Sequence, residues 1–183
     1  MEMDFFTAVD DLQDAEEPGA GMLGFTPYDS ACFYRYARID WRQLLQNLGG
    51  DLDLSLRTVE GFLRAAIMAV PTGKQNSFAA HNPPSLALVV VRDDGMGWSL
   101  ADAFEQPVFP QRGGGLVAPS VAALDAYWEC LCRIYGTRTL KHVATLAVDS
   151  DLPLNVLAGT QAATLESWVS EVIKALSGEE AQR

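Results

Sequence analysis

Lys74, Gln75 and Asn76 follow Gly73 inside the stretch VPTGKQNSFAAHNPP, Val70–Pro84. A glycine admits positive φ, so successive N–H groups can converge on an anion. A lysine adds a point charge for phosphate, and two amides can hydrogen-bond phosphate or sugar. Such a set reads a nucleic-acid backbone and not a base sequence. A single lysine is a small electrostatic footprint, so on chemistry alone an ordinary polar surface loop competes with this reading. An apolar helical pattern runs into the stretch and an apolar strand pattern runs out. Connections of about 12–15 residues without structure of their own are uncommon in compact domains and are usually functional or disordered.

Other chemistry is less well supported. Cys130 and Cys132, with His81 or His142, raise the question of zinc. Zinc sites typically place paired cysteines two to four residues apart at a turn, whereas these two are separated by one residue inside a helical pattern. Helical cysteines without metal are the better reading. No GxSxG is present, and no carboxylate pair stands out from surface acid. The acidic N-terminal residues lack the spacing of a calcium loop. Gly73–Lys74 is not a phosphate-binding P-loop, because Gln follows and the upstream glycine is missing. No cofactor or metal is expected. What remains for catalysis is a small enzyme using His81 with Asp93 or Asp94 at a cleft.

The chain has 183 residues, 49% hydrophobic and 20% charged, enough for one good core. No apolar run approaches the roughly 18 residues of a membrane span, and no charged segment followed by an apolar one opens the chain. Three cysteines, an odd number, fit a reducing compartment. These features predict a cytoplasmic protein without a membrane partner. The net charge of −11 argues against nucleic acid until its distribution is read. Eight of the 24 acids fall at or before Ser30, where there is no Lys or Arg. The rest of the chain sets 16 acids against 13 basic residues, a net charge of −3.

Several elements follow from pattern. Asp4–Gln13 reads as extended, and DAEEPGAGMLG as a loop or hairpin tip. Ala31–Ile39 alternates and is rich in aromatics, which predicts a strand covered on both sides. Asp40 caps a helix over WRQLLQNL that Gly49 stops, and Ser55–Ala69 is a second helix ended by Pro71. Leu86–Val91 is a strand. Ser99 caps a single helical turn before Pro107. Pro119 opens a helix over SVAALDAYWECLCRIY ended by Gly136. Thr139–Val148 is a strand, Thr164–Leu176 a last helix, and SGEEAQR a loose tail. By pattern alone this order suggests α/β with a parallel sheet.

Five segments in one order carry a resemblance: DFFTAVDDLQ, FYRYARID, QNLGGD, VPTGKQNSFAAHNPP and SLADAFEQPV. Together they closely resemble the C-terminal half of the CasC-type backbone subunit of Cascade, the type I-E CRISPR surveillance complex. The resemblance extends over nearly the whole chain. It begins at the thumb, so the family's N-terminal half, with its first core strand, helical domain and many basic RNA contacts, has no counterpart here. The resemblance implies α+β, an incomplete ferredoxin-like (RRM-like) antiparallel sheet with packed helices and a projecting N-terminal β-hairpin. Residues 1–30 would be the thumb segment, with the thumb itself at Asp10–Phe25. Residues 31–183 would be the C-terminal part of one core domain. A sheet short of a strand is expected to leave an open edge.

The resemblance further implies a guide-RNA-binding backbone subunit with no catalysis of its own. Its partners would be guide RNA, target DNA through the guide, copies of itself and other Cascade subunits. Phe5 and Phe6 match the aromatic pair at the thumb base, with Thr7 beside them, and Lys74, Gln75 and Asn76 match the loop facing the guide. Adjacent residues of an extended segment point to opposite faces. We therefore expect Phe6 to face RNA and Phe5 to pack inward near Phe33 or Tyr34. An acidic protein-interaction module is the other reading.

Overall fold

The computed structural model describes residues 2–8, 22–73, 75, 79–110 and 112–180, and the chain divides into two compact units, Met1–Phe33 and Tyr34–Arg183. The first unit contains an antiparallel pair, β1 (Glu2–Ala8) and β2 (Met22–Tyr28). The expected thumb, Asp10–Phe25, lies outside the described residues as far as position 21. In the second unit the order is α1 (Trp41–Asn47), α2 (Leu52–Met68), β3 (Leu86–Arg92), α3 (Val117–Tyr135), β4 (Leu140–Ala147) and α4 (Leu165–Glu180). Single 3-10 turns occupy Ala101–Phe104 and Ala158–Thr160. The fold is α+β, with two small antiparallel sheets of two strands each among the described residues.

β3 and β4 pair antiparallel, from Leu86 opposite Ala147 to Val91 opposite His142. The parallel sheet suggested by pattern alone does not form. Both faces of the β3–β4 ribbon are covered. On one, Val91 and Ala144 join Val59, Leu63 and Ile67 of α2 and Trp168, Val169, Val172 and Leu176 of α4 in one core. On the other, Leu88, Val90 and Val143 pack against Leu100, Trp128 and Leu157. That explains why Leu86–Val91 reads as an unbroken apolar run: a strand covered on both sides has no polar face. One edge is partly closed, since Ala162 N–H donates to the Thr145 carbonyl at 2.8 Å. The other edge of β3 has no strand beside it among the described residues.

The expected strand at Ala31–Ile39 is not one. Residues 29–40 have no regular structure, because their side chains bond to backbone elsewhere. The Leu100 N–H donates to Tyr34 Oη at 2.8 Å. Arg35 donates to the carbonyls of Ala66 and Ala69, closing the C-terminus of α2. Arg38 donates to the Gly95 carbonyl. The alternation thus records side chains anchoring an extended connector, not a ladder.

Helix ends follow their caps. Asp40 accepts from the Gln43 N–H, and Gly49 takes φ 68° after the last turn of α1. Helix α2 begins at Leu52, three residues before the expected Ser55, because Asp51 accepts from the Leu54 N–H at 2.9 Å. Thr164 and Ser167 bond reciprocally at the start of α4, a capping box with Ser in the third position. The tail expected to be loose continues α4 to Glu180.

Asp125 in α3 is 2% exposed and accepts three backbone N–H groups, from Asn155, Val156 and Leu157, at 2.9–3.1 Å. This carboxylate ties the 154–157 segment onto α3 and seats Leu157, fully buried, beside Trp128. Asp125→Ala would remove the acceptor of one buried and two part-buried N–H groups. It should lower unfolding stability by about 1–3 kcal/mol, the cost of a buried donor left unpaired. Urea unfolding measures this, and a loss below about 1 kcal/mol would mean that the segment is held by packing instead.

Candidate nucleic-acid interface

The β1–β2 register sets Phe5 opposite Phe25, Phe6 opposite Gly24 and Thr7 opposite Leu23. Alternation then places Met3, Phe5, Thr7, Leu23, Phe25 and Pro27 on one face of the ribbon. Met3, Phe5, Leu23 and Phe25 are all more than half exposed. That face is apolar and aromatic and carries no charge. Thr7 Oγ1 donates to the Met22 carbonyl at 2.8 Å.

Phe6 lies on the other face, over Gly24. A Cβ on Gly24 would sit 2.5 Å from Cζ of the ring, so a larger residue there would make the ring swing away from this position. The expected inward packing of Phe5 is not what its surroundings show. Phe5 is 65% exposed and is not core, Phe33 is 77% exposed, and Phe6 is the ring with a backbone beneath it. Phe25 and Leu23, neighbours of Phe5 on its face, were not singled out by sequence. The alternation in MLGFTPY was the available signal.

In the second unit, Lys74 and Asn76 lie outside the described residues, and Gln75 is half-buried. Gln75 Nε2 donates to the Pro71 carbonyl at 2.8 Å, while its own carbonyl accepts from the Ala79 N–H at 2.8 Å. Gln75 Oε1 is shielded from solvent and has no hydrogen-bond partner. Gly73 does not take positive φ, contrary to the expectation for a converging N–H nest. The left-handed residue is Ala79, at φ 48°, and the His81 N–H donates to its carbonyl at 2.8 Å. A non-glycine residue in this region costs roughly 1–2 kcal/mol.

The catalytic alternative gains nothing from geometry. Lys141 Nζ lies 2.7 Å from Asp93 Oδ2, and its hydrogen bond holds the Asp93 carboxyl below the usual range. Arg92 grips Asp94 through both Nε and Nη2, holding that carboxyl well below the usual carboxylate range. The Arg92 guanidinium in turn stacks 3.9 Å over the Trp98 ring. No hydrogen bond joins His81 to either acid. The described residues contain no cluster of three metal-binding side chains, and burial pushes the Cys132 thiol up. No described helix is long and apolar enough to cross a membrane.

An open α+β fold with an uncharged aromatic ribbon face and a polar loop beyond α2 is the class that these features define. The chain belongs to the Cas family of CT1975-like proteins, whose model it matches over residues 1–171. It is also similar to solved chains. One, from a CRISPR RNA-guided surveillance complex, is 30% identical with a TM-score of 0.78, covering 95% of this chain and 64% of that one. Another, from a CRISPR RNA-guided surveillance complex described as pre-nicking, is 29% identical with a TM-score of 0.76, covering 96% and 46%. The chain thus spans less than two thirds of the length of these solved chains. No match is found among curated proteins.

The Arg92–Asp94 pair has a pH signature. A carboxyl that is more acidic when folded contributes stability above its unfolded value and loses it as pH falls toward the folded one. Asp94→Asn should therefore be less stable than the wild type by a constant margin near neutrality. The margin should begin to close only below the ordinary carboxyl value of 3.8. Unfolding midpoints from pH 7 into strong acid measure it, and a margin that stays flat throughout would count against the pair.

Proposed function

We propose that this chain is a guide-RNA-binding backbone component of a CRISPR RNA-guided surveillance complex. The reading rests on its likeness to chains of such complexes over 95% of its length. In this role the chain grips phosphates of the guide with the loop carrying Lys74, Gln75 and Asn76. The ribbon carrying Phe5, Phe6 and Thr7 meets unpaired bases, and displaces them at intervals along a row of copies. The target DNA is reached through the guide, and the remaining partners are further copies of the chain and other subunits of the complex. Its task is to hold and space the guide in antiviral defence, with no bond made or broken by its own residues. Residues 1–30 serve as the thumb segment and 31–183 as the core.

Charge supports this division of labour. No Lys or Arg precedes Arg35, so the ribbon has nothing to offer a phosphate, whereas exposed rings suit bases. Base stacking on an aromatic ring is worth about 1–3 kcal/mol and is sequence-tolerant.

Two variants of the chain, titrated with single-stranded RNA at several salt concentrations, test the proposal. Lys74→Ala should weaken binding alike for all sequences and lower the slope of log affinity against log salt by about 0.7, one single-strand phosphate contact. Phe5→Ala should cost about 1–3 kcal/mol of affinity with the slope unchanged, and little stability, since the ring is exposed. Absence of RNA binding at low salt would overturn the proposal. An unchanged slope for Lys74→Ala would remove that residue from the site.

A further inference from the structure

We infer that Tyr135, with Arg133 and Arg138 on either side of it in sequence, stacks on a base of a single-stranded nucleic acid whose phosphates the two arginines hold. The inference rests on the nucleic-acid-binding reading above and adds a contact that neither the loop after α2 nor the β1–β2 ribbon supplies. Tyr135 is the last residue of α3 and is 71% exposed, yet its ring is not loose. It leans on Trp98, with ring centroids 6.0 Å apart and planes at 52°. Trp98 is fixed in turn. It packs edge-on against the buried Trp128 at 5.6 Å, and the Arg92 guanidinium lies over its ring. An exposed ring that is already held gives up little freedom when it meets a ligand.

Charge selects the ligand. Gly136, at φ 78°, stops α3 and turns the chain within the stretch RIYGTR. Both arginines of that stretch are exposed, and neither forms an ion pair with a described carboxylate, Glu129 one turn before Arg133 included. The acids of the 93–94 turn are already met, Asp94 by Arg92 and Asp93 by Lys141. A cation in the last turn of a helix offsets the helix dipole. That accounts for Arg133 but not for Arg138, which lies beyond the end of α3. Guanidinium groups suit phosphate. An acidic protein surface would use the arginines and leave the ring without a partner. Bases in a duplex hide their faces against one another, so a single strand is the nucleic acid that offers base faces and phosphates together.

The test uses oligouridine in which iodouracil replaces some bases, since irradiation joins iodouracil to an aromatic ring stacked against it. With the unaltered full chain, mass spectrometry of the digest should place a cross-link on Tyr135. This reading needs no variant and so decides even if one folds poorly. In titrations with plain oligouridine, Tyr135→Ala should weaken binding about fivefold to a hundredfold, the worth of one stacked base, and Tyr135→Phe should keep the wild-type affinity. Replacing Arg133 and Arg138 together by Ala should lower the slope of log affinity against log salt by about 1.4, two single-strand phosphate contacts. If oligouridine binds but Tyr135 neither cross-links nor matters for affinity, the inference fails while the RNA-binding reading stands. A lower slope without any effect of Tyr135 would mean that the arginines attract anions without a stacked base, and it also overturns the inference. If the wild type does not bind oligouridine at low salt, the reading on which the inference rests fails and takes the inference with it.

Discussion

The pairing of β3 with β4 decides what every other element of the larger unit can do. Two strands alone bury almost nothing, so each face of this ribbon must recruit its own cover. The register that sets Val89 opposite Ala144 and Val90 opposite Val143 sorts the apolar residues onto two sides. Helices α2 and α4 cover one side, and α3 with the segments around Leu100 and Leu157 covers the other. A slip of one residue would exchange the two sets. Side chains pin the layers to the ribbon as well. Trp168 Nε1 donates to the Ala144 carbonyl at 3.1 Å, and the Asp125 carboxylate holds the segment that carries Leu157.

Electrostatics separates the two units as firmly as packing does. The first 30 residues hold eight acids and no Lys or Arg, while several basic residues of the remainder are held by carboxylates. Arg92 is taken by Asp94, Lys141 by Asp93, and Arg64 by Glu60 and Glu166. An acidic total therefore says little about nucleic-acid binding here. A contact face such as that of the β1–β2 ribbon can be uncharged and aromatic whatever the net charge of the chain.

Elements with local signals were legible in the sequence. Strands β3 and β4, the Asp40 cap and the Gly49 stop are all written in short-range chemistry. The connector over Ala31–Ile39 was misread because alternation registers that side chains point two ways, not what they meet. Tyr34, Arg35 and Arg38 find backbone atoms 31 to 66 residues away in sequence, which no local pattern encodes. The start of α2 was missed because Asp51 was not weighed as a cap. In the loop after α2, glycine chemistry pointed to Gly73, but the left-handed turn is at Ala79, imposed by the bond back to Gln75. The aromatic pair was found by type, whereas its surroundings depend on the strand that faces it. Only the register shows that Phe6 lies over a glycine and that Phe5 shares its face with Leu23 and Phe25.

That overlay of Phe6 on Gly24 makes the two positions a single unit of variation. The ring occupies the volume in which any other residue at position 24 would place its first carbon. A larger residue at position 24 is then accommodated only if the half-exposed Phe6 ring swings off the strand, so a change at one position alters the surroundings of the other. Across related sequences the two should drift together, and the effects of changing both should not be the sum of changing each. The placing of the Phe6 ring is thus set by the residue across the ribbon as much as by its own strand.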